Sequence, residues 1–300
     1  MAFFLYDILE KFIPICEQKQ DLEKVEKYKQ TMETLKQAVN TNAWDGRWYR
    51  RAYTDDGKII GSMQNEEAKI DSIAQSWAVI SGAGEEEKQK IAMEEMENQL
   101  IDNENAVIKL LSPPFEKGDI EPGYIKSYLP GVRENGGQYT HAAVWAVWAM
   151  ALLGQGDKVF KYYKYITPIE HARTREIANQ YKVEPYVVVA DIYGAQNLVG
   201  RGGWTWYTGS SSWYQKIGIE NMLGLKVENE MLSLNPCIDP SWKEYGIRYR
   251  YKTSTYNIKI RNPNSKQTGV TTFKHNGQEI ESKQVKLIDN GAINEIEVVM

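Results

Sequence analysis

The period of the hydrophobic pattern changes once along this chain, near Val227, and that change bounds the fold. Before it, apolar residues recur at helical spacing: Leu5, Ile8, Leu9 and Phe12 in one stretch, Ile70, Ile73, Trp77 and Ile80 in another. After it come short alternating runs at 245–251, 255–261, 270–275 and 293–298. Asn262-Pro263-Asn264 and Asn276-Gly277 mark turns between them. The pattern predicts a helical part over 1–225 and a small antiparallel β domain over 226–300. The length of 300 residues suits one large or two modest domains.

Helices are expected at 2–18, 21–40, 66–82, 84–102, 138–154, 157–165, 174–195 and 211–224, with Gly154 and Gly224 as C-caps. Between them, residues 103–137 carry Pro113-Pro114, Pro122-Gly123 and Pro130-Gly131. A loop that long in a compact domain is usually functional. Antiparallel helix pairs joined by long Gly/Pro/aromatic loops suit an (α/α)6 toroid. Twelve helices close such a barrel, so this mainly α chain is expected to hold its later part.

Composition excludes some classes. Lys+Arg 36 against Asp+Glu 40 gives a formal charge of -4, which leaves no basic footprint for nucleic acid. Cys16 and Cys237 stand far apart with no partner motif, as in a reducing compartment. The apolar N-terminus lacks a basic region and carries Asp7 and Glu10, so it reads as a core helix rather than a signal peptide. No apolar run approaches the roughly 20 residues of a membrane span. A cytoplasmic protein is expected. The three histidines have no metal-ligand spacing, and neither a metal nor a cofactor is expected.

The densest chemistry lies in Gly200-Arg-Gly-Gly-Trp-Thr-Trp-Tyr-Thr-Gly-Ser-Ser-Ser212, directly before a helical pattern. Glycines let backbone N–H groups approach a ligand, hydroxyls add donors, and a helix N-terminus favours an anion. Tryptophan and tyrosine offer flat faces to a sugar ring. The combination points to phosphate beside a carbohydrate.

Four segments carry a resemblance: Asn42-Ala-Trp-Asp-Gly-Arg-Trp-Tyr-Arg-Arg-Ala-Tyr53, Val132-Arg-Glu-Asn-Gly-Gly-Gln-Tyr-Thr-His141, Val183-Glu-Pro-Tyr-Val-Val-Val-Ala-Asp191 and Gly200-Arg-Gly-Gly-Trp-Thr-Trp-Tyr-Thr-Gly209. In order and spacing the chain resembles the inverting phosphorylases of glycoside hydrolase family 94. That family includes cellobiose, chitobiose and β-1,2-oligoglucan phosphorylases and the C-terminal region of cyclic β-1,2-glucan synthases. The text around Asp71–Gly84 and Asn235-Pro-Cys-Ile238 is most similar to the last two.

The resemblance implies that inorganic phosphate, as co-substrate, attacks the anomeric carbon of a β-linked glucosyl unit in a β-glucan or oligosaccharide while a carboxylic acid protonates the leaving oxygen. It implies phosphate contacts for His141, Thr208 and Gly209, and substrate contacts for Arg133 and Glu134. Arg133 stands where some members have lysine. A phosphate-holding glutamine is expected near Ala190 or Asp191, where this sequence has none. The family's general acid is the last Asp of an Asp-Trp-Asn-Asp type motif upstream of the first helix, and no such motif occurs here. The catalytic residue is therefore unassigned. Met1 is expected to open a fragment that does not catalyse phosphorolysis alone, with a missing N-terminal half or a homodimer covering the open helix faces.

Trp44 and Asp45 suit a sugar platform with a hydroxyl-binding carboxylate; they equally suit a helix-end turn with Asp45 paired to Arg47 or Arg50. Glu184-Pro185-Tyr186 is expected to start a helix, and Arg201 to pair with Asp191 or phosphate. His171 and His275 read as structural or surface residues. Two other functions stay open: a non-catalytic carbohydrate-binding module, and an inverting glycosidase using Glu134 with Asp45 or Asp191.

Overall fold

The computed structural model describes residues 1–300. Eight α-helices form: α1 (Ala2–Gln18), α2 (Leu22–Asn42), α3 (Ser72–Ile80), α4 (Glu86–Leu100), α5 (Thr140–Leu152), α6 (Gly156–Ile166), α7 (Arg175–Tyr181) and α8 (Thr208–Ile217). Eight two-residue strands lie among them: β1 (Ala52–Tyr53), β2 (Ile59–Ile60), β3 (Ile70–Asp71), β4 (Ile101–Asp102), β5 (Val107–Ile108), β6 (Leu111–Ser112), β7 (Gln138–Tyr139) and β8 (Asp191–Ile192). They pair antiparallel as β1–β2, β3–β6, β4–β5 and β7–β8.

The chain divides into two compact units, Met1–Ala149 with Tyr165–Ser211, and Met150–Lys164 with Ser212–Met300. In the first, α1 and α2 form a hairpin around Ile13, Cys16 and Val25. Phe3, Tyr6, Leu9, Ile13 and Cys16 give α1 one buried face by their 3–4 spacing. Its other side is also apolar: Phe4, Leu5, Ile8, Phe12 and Ile15 are exposed along one stripe. Asp71 caps α3 by accepting from Ile73 N (2.8 Å), and all of α3 but Ile73 is buried. Glu86 and Glu87 in the first turn of α4 complement its dipole.

Two expected helices are corrected: 66–82 is helical only over Ser72–Ile80, with Ile70 and Asp71 in β3, and the second lies further on. The stretch 174–195 is helical only to Tyr181. Lys182 takes a left-handed φ of 57°, which ends the helix. Beyond it Glu184-Pro185-Tyr186 starts no helix, and the β-branched run Val187-Val188-Val189 leads into β8.

The second unit holds the β-rich region expected over 226–300 together with the helical segments 150–164 and 212–224. Within it Phe160 meets Trp242 edge-on at 5.1 Å, and Tyr163 stacks on Tyr214 at 4.1 Å. Its strands are β9 (Leu225–Glu228), β10 (Met231–Leu234), β11 (Glu244–Tyr251), β12 (Ser254–Arg261), β13 (Thr272–His275), β14 (Gln278–Glu279), β15 (Gln284–Lys286) and β16 (Ile293–Val299). One sheet runs β15-β10-β9 and the other β11-β12-β16-β13-β14. Tyr256, Ile258 and Ile260 alternate inward from β12 to meet Phe273, Ile296 and Val298.

The expected all-antiparallel pairing fails at one place: β12 and β16 are parallel. β16 fills the position between β12 and β13, which run opposite ways. Pairing antiparallel with β13 makes it parallel to β12.

Candidate functional site

Three segments, one of them remote in sequence from the other two, lie side by side in the first unit. Residues 188–193 are central. On one side Thr140 N donates to Ala190 O (2.9 Å) and the Thr140 hydroxyl to Val189 O (2.7 Å). On the other, Ala190 N donates to Trp204 O, Gly203 N to Asp191 O, Tyr193 N to Arg201 O and Tyr207 N to Val188 O. The two flanking segments each run straight into a helix, α5 at Thr140 and α8 at Thr208. The register therefore sets two helix starts next to each other, where the positive ends of the helix dipoles favour an anion.

His141 sits in the first turn of α5 and reaches across to α8. Its Nδ1 is 2.9 Å from the Ser210 hydroxyl. Its Nε2 lies 3.1 Å from where a Cβ on Gly209 would stand. The ring is stacked on Tyr139 at 6.2 Å and meets Tyr207 edge-on at 5.2 Å. Burial lowers its pKa, so the imidazole is neutral near pH 7. The Tyr139 and Tyr207 hydroxyls are 2.6 Å apart, and burial followed by that bond raises the Tyr139 pKa.

His141, Tyr139 and Tyr207 line a cleft of about 640 Å³ together with Glu134, Arg51 and Asp71. Glu134 is loosely held, its oxygens 3.5 Å from the Tyr124 hydroxyl and 3.5 Å from Arg133 Nε. Asp71 is committed elsewhere, to Arg51 (3.1 Å) and the α3 cap. Its carboxyl is raised by burial, against the pull of Arg51.

The turn carrying Arg133 and Glu134 is held by two buried side chains. Asn135 accepts from Phe115 N (2.7 Å) and donates to the Phe115 and Tyr128 carbonyls (both 2.8 Å). Asp191 Oδ2 accepts from Arg133 N (2.9 Å), which stabilises Arg133 at a left-handed φ of 51°. The Arg133 guanidinium lies over the rings of Tyr128 (5.2 Å) and Trp204 (5.7 Å). Burial raises the Asp191 carboxyl, and the Arg133 bond opposes it.

His141 and Glu134 thus share the cleft lining, Gly209 faces His141, and Arg133 adjoins Glu134, while Arg133, Thr208 and Gly209 are not among the lining residues. Asp45 and Trp44 are not among the residues that line the cleft. Asp45 accepts from Arg50 (2.7 Å), the Ser62 hydroxyl (3.1 Å) and Met63 N (2.7 Å), which is the turn-holding role. Trp44 packs on Tyr49 at 5.1 Å with Lys88 over its ring. Arg201 is exposed beside Gln180 and Lys182, and the partner of Asp191 is the Arg133 amide instead. His171 is structural, bonded to Tyr165 O (2.7 Å) and stacked on Tyr181. Tyr139, Tyr207 and Ser210 were not singled out by sequence. Their signal was position: two residues before His141, and on either side of Thr208-Gly209.

Comparison with known proteins places the chain in a family. The profile of the Glycosyl hydrolase 94 superfamily, catalytic domain, matches residues 1–224. The cyclic beta-(1,2)-glucan synthase NdvB of Rhizobium meliloti (strain 1021) is 42% identical over 260 residues, 87% of this chain and 9% of that protein. A solabiose phosphorylase of Paenibacillus borealis is 31% identical over 89% of this chain and 34% of its own length. An N,N'-diacetylchitobiose phosphorylase of Vibrio furnissii is 28% identical over 100% of this chain and 37% of its own length. The chain thus spans about a third or less of these relatives. A solved structure described as a sialidase matches with TM-score 0.55 and 14% identity over 82% of this chain and 22% of that one, a likeness of fold alone. No helix is long and apolar enough to cross a membrane. With three quarters of its length under the profile, including every motif around the two helix starts, the chain belongs to the glycosyl hydrolase 94 superfamily.

Proposed function

We propose that this chain forms the phosphate- and sugar-binding wall of an inverting glycoside phosphorylase-like site acting on β-linked glucosides. The observation that carries the reading is the junction of α5 and α8, where His141 Nε2 faces the Gly209 position across two helix starts. Thr208, Gly209 and His141 hold inorganic phosphate there, while Glu134 and Arg133 bond sugar hydroxyls at the cleft. A phosphate oxygen bonds to the anomeric carbon from one face as the glycosidic bond breaks on the other. No cofactor is required, because phosphate is itself the nucleophile.

The proton for the leaving oxygen comes from a carboxylic acid outside residues 1–300 in this reading, since Asp71 is committed to Arg51 and Glu134 to sugar. The architecture is the later part of an (α/α)6 toroid. The apolar stripe of Phe4, Ile8, Phe12 and Ile15 supports its burial against further polypeptide. The 42% identity to a cyclic beta-(1,2)-glucan synthase supports β-1,2-glucan as the sugar. The glycosidase reading loses Asp45, held in its turn, and Asp191, buried under the Arg133 loop.

Calorimetric titration of inorganic phosphate into the chain tests the cradle. Binding is expected, and His141→Ala is expected to weaken it about tenfold or more, the value of one hydrogen bond to a charged group. Equal affinity in the two proteins would refute it.

A further inference from the structure

We propose that Ser210 is a positioning residue that sets the tautomer of His141. Its hydroxyl donates to Nδ1 and thereby keeps the ring proton on Nε2, the nitrogen facing the start of α8. What Nε2–H then donates to rests on the phosphate reading above; the tautomer itself is a property of the free protein.

Four observations carry this. The Ser210 oxygen is 2.9 Å from Nδ1. Ser210 is fully buried, so its hydroxyl proton cannot turn to water and must find an acceptor within the protein. Unprotonated Nδ1 is such an acceptor; protonated Nδ1 would compete as a second donor. The ring packs against both Tyr139 and Tyr207, and a half-turn would present carbon to the hydroxyl. Burial disfavours the doubly protonated ring, so one nitrogen carries the proton and the other does not.

The consequence is directional. With the proton on Nε2, the ring adds an N–H donor to those of the α8 N-terminus, 3.1 Å from the Gly209 Cβ position. With the proton on Nδ1, a lone pair would face the same space and repel an anion. A neutral histidine serves an anion site only in the first form. The residue after Thr208-Gly209 thus decides whether His141 attracts or repels what those two hold.

The test uses the full chain labelled with ¹⁵N-histidine, near neutral pH and without phosphate. Long-range ¹H–¹⁵N correlation reads the proton on each ring nitrogen. With only three histidines, His171 and His275 serve as internal controls of folding. The expected wild-type spectrum has His141 protonated on Nε2 alone. Ser210→Ala is expected to populate both tautomers at His141, leave His171 unchanged and weaken phosphate binding about 3- to 10-fold. Ser210→Thr, which keeps the hydroxyl, is expected to restore both. Wild-type protein with the proton on Nδ1 overturns the proposal without need of any variant. So does a Ser210→Ala protein whose His141 resonances match wild type. If the tautomer behaves as expected but phosphate does not bind wild type, the phosphate reading fails and the role of Ser210 stands.

Discussion

Gly209→Ala separates folding from binding at this site. The backbone at Gly209 needs no glycine, since its φ lies outside the left-handed region. The residue sits in the first turn of α8, where alanine gains up to about 1 kcal/mol of helix propensity over glycine. Against that gain stands one close approach, since the new Cβ lies 3.1 Å from His141 Nε2 and 3.3 Å from its Cε1. The ring must yield by a few tenths of an ångström, at a cost comparable to the gain, so thermal stability should hold within a few degrees. Binding should not hold. The methyl carbon occupies the position where an acceptor oxygen would meet Nε2 at about 2.7–3.2 Å. Losing a hydrogen bond to a charged group costs about 1.5–3 kcal/mol, or about 10- to 150-fold in affinity. Phosphate titration by calorimetry and thermal unfolding of the same preparations check both halves. Wild-type affinity in the variant would refute the placement of the anion. Affinity and fold lost together would refute the claim that Gly209 serves the ligand rather than the chain.

Asn135→Ala should destabilise the fold by about 1–3 kcal/mol in urea unfolding, because it leaves Phe115 N and two carbonyls unpaired in the interior. Asp191→Asn should gain stability relative to wild type as pH rises. The folded carboxyl titrates above its unfolded value, so the wild type loses stability from the ordinary carboxylate range upward and the amide does not. Melting temperatures of the two proteins across pH 4–8 check this; a constant or falling difference would show that Asp191 is not strained by burial.

Much of the fold was legible because it is local. The Leu9, Phe12 and Trp77 periodicities mark helices that form, and the Asn276-Gly277 turn lies between β13 and β14, where the structure makes it. The helix expected through 195 was not legible, because Val187–Val189 suit either structure and are extended by partners that come from Thr140 and Tyr207. The site divides the same way. His141 and Glu134 stood out by composition and resemblance. Ser210 and the Tyr139–Tyr207 pair gain meaning only from a register that joins residues 68 and 69 positions apart. Asp45 stayed open between two roles in the sequence because a carboxylate serving a turn and one serving a sugar look alike until its donors are known.

The segment 188–193 also determines where chain length can vary. It is hydrogen-bonded to a neighbour on each side, so one residue added or removed there would displace His141 relative to Ser210 by a strand step of about 3.3 Å. The span between Phe115 and Tyr128 is tied back at its two ends by Asn135 and within by Glu67, which accepts from Lys117 N and Gly118 N. Insertions there leave the two helix starts untouched. On the proposed reading, a family built on this frame can remodel the cleft rim by lengthening that span, while the spacing from Val188 to Ser210 stays fixed by the hydrogen bonds that set His141 against Ser210.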